Sequence, residues 1–91
     1  MIEGGISPGQ CRAARAYLDM TQEELATAAG VVGMTIQSFE REQRIPIKNN
    51  LAAIRNVFEG KGVVFLAVED GFDGLLLPFD KSALTTDLTT E

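Results

Sequence analysis

Residues 21–42 read TQEELATAAGVVGMTIQSFERE, and the fold turns on how they are parsed. Thr21 stands three residues before Glu24, the spacing of a capping box, in which two side chains each satisfy an orphan backbone donor at a helix start. Glu23 and Glu24 also suit the positive end of a helix dipole. Leu25, Ala26 and Ala29 form a small-residue face that lets another helix approach closely, and Gly30 is placed to stop the helix. After a very short turn, Val31, Ile36 and Phe39 are spaced for one face of a second helix, with Met34, Thr35, Gln37, Ser38 and Arg41 around the rest. Two short helices joined by a Gly-containing turn predict a helix-turn-helix.

Working outward, ISPGQCRAARAYLD opens with a second capping box, Ser7 to Gln10, and a proline at the first helical position. Cys11, Ala14, Tyr17 and Leu18 should face the core, with Arg12 and Arg15 on the other side. The preceding GGISPG reads as a flexible N-terminus. On the C-terminal side Pro46 makes helix through the connector EQRIPIKNN unfavourable. Helix resumes with Leu51, Ile54, Val57 and Phe58 as a core stripe, Asn49 or Asn50 as the cap, and Gly60 and Gly62 as the stop. VVFLAVE then reads as a strand, EDGFDG holds two turn-forming Asp-Gly pairs, and LLLPF reads as a second strand that Pro78 confines to an edge or an end.

The chain is therefore expected to be mainly α, with four to five helices over residues 1–62, a β-hairpin over 63–79 and a flexible tail over 80–91. The hairpin is apolar on both faces. Its Val63, Val64, Phe65, Leu66, Val68, Leu75, Leu76, Leu77 and Phe79 are the expected dimerisation residues, because one small helical body could hardly cover them all.

Composition narrows the function. With 91 residues there is room for one small domain, which dimerisation would help to stabilise. A single cysteine and no histidine leave no usual metal-ligand set and no internal disulfide, and Cys11 reads as a small apolar helix residue. No activated nucleophile or phosphate-cradling loop is present, and Glu23 and Glu24 point to different sides of a helix, so neither an enzyme nor a cofactor is expected. The start lacks a signal-peptide pattern and no apolar run reaches membrane length, so a cytoplasmic protein without a membrane partner is expected. The net charge of −5 lies wholly in residues 63–91, where Lys81 stands against Glu69, Asp70, Asp73, Asp80, Asp87 and Glu91. Residues 1–62 are neutral, which argues against strong non-specific affinity for nucleic acid.

The segment TQEELATAAGVVGMTIQSFEREQRIP resembles the λ-repressor-like, Xre-type helix-turn-helix family, in its T-Q-x-x-L-A start, A-G turn, T-I in the second helix, and F-E-R followed by a proline. The resemblance covers residues 7–62 and implies binding to double-stranded DNA. By that resemblance Gln22, beside Thr21 and the backbone donors of its helix start, bonds a phosphate. Val32, Gly33, Met34, Gln37 and Ser38 face the major groove, Thr35 sits against the DNA backbone or the helix start, and Arg41, Arg44 and Lys48 reach phosphates. The departures fall on the reading surface. Val32 cannot cap, Gly33 and Met34 cannot make bidentate base contacts, and Glu42 stands where glycine or asparagine is common. Gln37 suits adenine, and Met34 suits a thymine methyl.

Two functions follow as expectations. One is a homodimeric, sequence-specific transcriptional regulator on a palindromic operator, its hairpin pairing across the two-fold axis. The alternative is a protein-interaction module on the same fold, such as an antirepressor, antiactivator or antitoxin-like partner of another regulatory protein. For Arg41 and Arg44 themselves, the other reading is surface salt bridges with Glu40 and Glu42, which are worth little.

Overall fold

The computed structural model describes residues 5–68 and 72–79. The expected tail over 80–91 and the Asp70–Gly71 turn pair lie outside the described residues. Four helices, α1 (Pro8–Tyr17), α2 (Gln22–Ala29), α3 (Gly33–Glu40) and α4 (Lys48–Glu59), precede a two-stranded antiparallel hairpin of β1 (Val64–Val68) and β2 (Phe72–Leu76).

Both expected capping boxes form. Ser7 Oγ accepts from the Gln10 amide at 3.1 Å while Gln10 Oε1 accepts from the Ser7 amide at 2.9 Å. Thr21 and Glu24 make the same reciprocal pair at 3.0 and 2.9 Å. The starts of α3 at Val32 and α4 at Ile47 carry no side-chain cap bond. The α4 start corrects the expectation of an asparagine cap. Pro46 holds only the residue before it, Ile45, away from helical geometry, so helix begins as soon as Ile47 is passed and takes Asn49 and Asn50 into its first turn.

All four helices end alike. A left-handed residue, Asp19 (φ 58°), Gly30 (φ 75°), Glu42 (φ 63°) or Gly62 (φ 92°), turns the chain back. The next amide then reaches five residues back: Met20 to Arg15 O, Val31 to Ala26 O, Gln43 to Ser38 O and Val63 to Phe58 O. Asp19 and Glu42 hold a Cβ in a region that costs an L-residue roughly 1–2 kcal/mol, a cost that packing of the flanking helices must offset.

The core is built from Cys11 and Ala14, Leu25 and Ala26, Ile36 and Phe39, and Leu51, Ile54 and Phe58, one set from each helix. Two expectations change here. The N-terminal approach is anchored, because Ile6 is buried and Arg55 Nη1 donates to the Gly5 carbonyl at 2.8 Å. Tyr17 is only half-buried, and its hydroxyl bonds the Pro78 carbonyl.

The hairpin joins the same core. Val63 and Phe65 are buried, with the Phe65 ring edge-on to Phe58 at 6.0 Å and the Arg55 guanidinium 5.6 Å from its centre. Leu75, opposite Phe65, also packs on the core. Val63, Phe65 and Leu75 are thus removed from the expected dimerisation set: they cover their own helices. The second strand also starts earlier than LLLPF. Phe72 to Leu76 pair with Val68 to Val64, so the second Asp-Gly pair lies within the strand and Pro78 lies beyond it. Gln10 fastens the hairpin to α1. Its buried Nε2 donates to Leu66 O at 3.1 Å and Gly74 O at 2.6 Å, two residues directly opposite in the ladder.

Gln10 therefore closes a helix cap and docks the hairpin with one amide. Replacing Gln10 by Ala should lower unfolding free energy by about 2 kcal/mol, because carbonyls and an amide lose their partner. Urea denaturation measures this, and a wild-type midpoint would refute the docking role.

Candidate nucleic-acid interface

The candidate surface is organised from beneath by Glu40, the last residue of α3. It is only 5 % exposed, although a carboxylate resists leaving water. Arg15 grips it bidentately, Nε at 2.9 Å and Nη2 at 2.8 Å, while Gln22 Nε2 donates at 3.0 Å and the Cys11 thiol at 3.1 Å. Arg12 adds a bond to the Glu40 carbonyl. Burial alone would raise the Glu40 pKa; the hydrogen bonds from Arg15, Gln22 and Cys11 outweigh it and hold the carboxyl below its ordinary range. Burial, then the bond to Glu40 and its charge, push the Cys11 thiol up, so it stays protonated as a donor.

Two expectations are corrected by this cluster. Arg15 turns inward to the buried carboxylate instead of lying on a free helix face. Cys11 is buried among apolar groups as expected, but it also spends its S–H on Glu40. Gln22, the expected phosphate ligand, has one amide N–H committed to Glu40. Because a carboxylate only accepts, that bond fixes which way the amide faces and leaves Gln22 one further N–H.

The acids expected to neutralise the flanking cations are engaged elsewhere. Glu40 belongs to Arg15, and Glu42 lies 3.5 Å from Arg12. Among the described residues Arg41, Arg44 and Lys48 are exposed and form no ion pair. Lys61, beyond the end of α4, is likewise exposed and forms no ion pair among the described residues.

On α3, Ile36, Phe39 and Glu40 point inward. Met34, Gln37, Ser38 and Arg41 follow at i, i+3, i+4 and i+7, which sets them on one outward face. Gly33 sits at its start, where a Cβ would come 3.0 Å from a carboxylate oxygen of Glu23. That acid stands beside the uncapped first turn of α3, where the helix dipole favours negative charge. Beside the outward face runs an open groove of about 650 Å³. Val32, Met34, Thr35, Ser38 and Arg44 line it together with Ile45, Pro46, Ile47 and Asn50. Gln37, Arg41, Lys48 and the Thr21–Gln22 helix start are not among its lining residues.

Of these lining residues, Ile45, Pro46, Ile47 and Asn50 were not foreseen as site residues. A signal was available: two isoleucines flanking a proline in an otherwise polar connector have no amphipathic period to bury them.

No protein-family model matches the chain, and no curated protein sequence matches it. Among the described residues no helix is long and apolar enough to cross a membrane.

The depressed pKa of Glu40 has a sign that can be measured. Its ionised form contributes stability above the ordinary carboxylate pKa of about 4.3, and that contribution is lost as pH falls through the lower folded value. Glu40→Gln should cost about 3 kcal/mol at neutral pH, as expected when one member of a buried pair is removed. It should also flatten the acid limb of the stability–pH curve. Denaturant titrations from pH 7 to 3 test both, and identical curves would refute the assignment.

Proposed function

We propose that this protein is a small, sequence-specific DNA-binding transcriptional regulator of the λ-repressor-like helix-turn-helix type, with α2 and α3 as the motif and α3 in the major groove. The observation that carries the reading is the set of cations without an ion pair among the described residues that follows α3: Arg41 at its C-cap, Arg44 in the groove beside it and Lys48 at the start of α4. Phosphates supply most of the affinity in such complexes, and free cations gain more from them than cations already spent on acids. The first turn of α4, without a side-chain cap, adds backbone donors of the kind that hold phosphates, whereas the start of α3 already faces the Glu23 carboxylate. Gln37 supplies the base contact with hydrogen-bonding specificity, directed to adenine N6 and N7.

The regulator acts as a homodimer in this reading. Val64, Leu66, Phe72 and Leu76 alternate on the hairpin face away from the helices and remain exposed, as do Leu77 and Phe79. A two-stranded sheet has two open edges as well, and a second hairpin covers both features at once. The two α3 helices would then meet successive major grooves of a palindromic site.

A protein-interaction role on the same fold is the second reading. It draws on the exposed apolar groups that rim the groove, Val32, Met34, Ile45 and Ile47.

The DNA reading is tested by retarding the DNA upstream of the protein's own gene on a native gel. The shift should weaken steeply with salt, and Arg44→Ala or Lys48→Ala should each reduce the log–log salt slope by about 1 per protomer. Gln37→Ala should relax specificity, whereas Arg41→Ala should weaken all sequences alike. Absence of any shift at low salt turns the assignment to the second reading. The dimer has a separate measurement. Light scattering at micromolar concentration should give twice 9.8 kDa, and Phe72→Asp, at an exposed position, should return the protein to a folded monomer. A wild-type monomer at that concentration would rule the hairpin interface out.

A further inference from the structure

We infer that the groove beside α3 reads thymine methyl groups, so that the preferred half-site is selected mainly by apolar contact and only secondarily by hydrogen bonds. The inference rests on the DNA-binding reading and specifies its base chemistry.

Four apolar side chains stand largely in water around this one groove: Val32 at 68 %, Met34 at 65 %, Ile45 at 63 % and Ile47 at 69 % exposure. Two come from the start of α3 and two from the connector that follows it, so they converge only in the folded chain. Such a cluster gains free energy when an apolar group covers it. In the major groove of B-DNA the one apolar group on a base edge is the C5 methyl of thymine. Where a base edge meets the valine and isoleucine side chains, guanine N7 and O6 or cytosine N4 gains no partner from them, whereas thymine's methyl needs none. The polar lining residues Thr35, Ser38, Arg44 and Asn50 stand beside this apolar strip.

Charge selects nucleic acid as the occupant. Arg44 lines the groove itself, and Lys48 follows directly on Ile47. Neither forms an ion pair among the described residues, so the apolar strip is bordered by cations suited to the phosphates on either side of a base. An apolar protein segment would fill the strip and leave those cations unanswered. Gly33, between Val32 and Met34, has no side chain of its own, and the Glu23 carboxylate approaches within 3.0 Å of where its Cβ would stand. Gln37 lies on the same helix but outside the groove lining, which leaves it to bond an adenine alongside the thymine-reading strip.

The test removes only methyl groups. Duplexes are selected by the full-length protein from a random library of roughly 20 base pairs, enough for two half-sites one turn apart. Each thymine of the selected site is then replaced in turn by deoxyuridine. At one or more positions per half-site the affinity should fall about fourfold, the burial value of one methyl group. The loss should shrink towards none in the Ile45→Ser, Ile47→Ser double variant, whose exposed positions tolerate the change; circular dichroism checks its fold. Restoring a methyl at that position with 5-methylcytosine, paired to guanine, should recover part of the binding lost by an unmodified cytosine. Selected duplexes bound equally well with thymine and with uracil would overturn methyl reading and leave the DNA-binding assignment standing. Selection that enriches no duplex at all would overturn both, and would point to a protein in the groove.

Discussion

Glu40 draws its carboxylate out of water at the end of α3, and four donor groups of three residues on two other helices converge on it. An ionised carboxyl in that place is costly until its acceptor sites are filled, and then its geometry is demanding. Arg15 and Cys11 set α1 against α3, and Gln22 sets the start of α2 against the end of α3. The rotation of α3 about its own axis is fixed by that clamp together with the apolar anchors Ile36 and Phe39. Which side chains face solvent follows from this rotation: Met34, Gln37, Ser38 and Arg41 are outward because Glu40 is inward.

The same clamp redistributes charge. Seven acids balance seven bases in residues 1–62, so the average predicts no attraction for a polyanion. Folding breaks the average. Glu40 is withdrawn to Arg15, Glu42 lies 3.5 Å from Arg12, and Glu59 is held by Arg55 at 2.7 Å. Arg41, Arg44, Lys48 and Lys61 are left without an ion pair among the described residues. A local field of this kind depends on which pairs form, and net charge cannot report it.

Partition governs the hairpin too. Its ladder register puts Phe65 and Leu75 on the helices and turns Val64, Leu66, Phe72 and Leu76 away from them. Gln10 secures that register by reaching both strands at the Leu66–Gly74 pair. A slip of one residue would exchange the two faces. The helical body thus decides which half of an apolar hairpin is left for another surface.

Much of this was legible in the chain itself. The boxes at Ser7 and Thr21, the stop at Gly30, the stripe from Leu51 to Phe58 and the presence of a hairpin are local, set by spacings of three and four residues or by alternation, and a local rule needs no knowledge of the rest of the fold. Asp19 is a residue type that tolerates the left-handed region, but nothing in its local spacing marked it as a helix stop. The left-handed turn at Glu42 was not legible, because glutamate carries no turn signal. Nor were the inward turn of Arg15, the second duty of Gln10, the engagement of Gln22 or the gathering of Ile45 and Ile47 beside Met34. Each joins residues from separate elements, and which partner a long polar side chain or a stray isoleucine meets is decided by close packing in three dimensions. The sequence by itself determined the elements and their caps. The tertiary structure decided which charges cancel and which apolar groups stay in water, because both depend on distances between elements that no local pattern encodes.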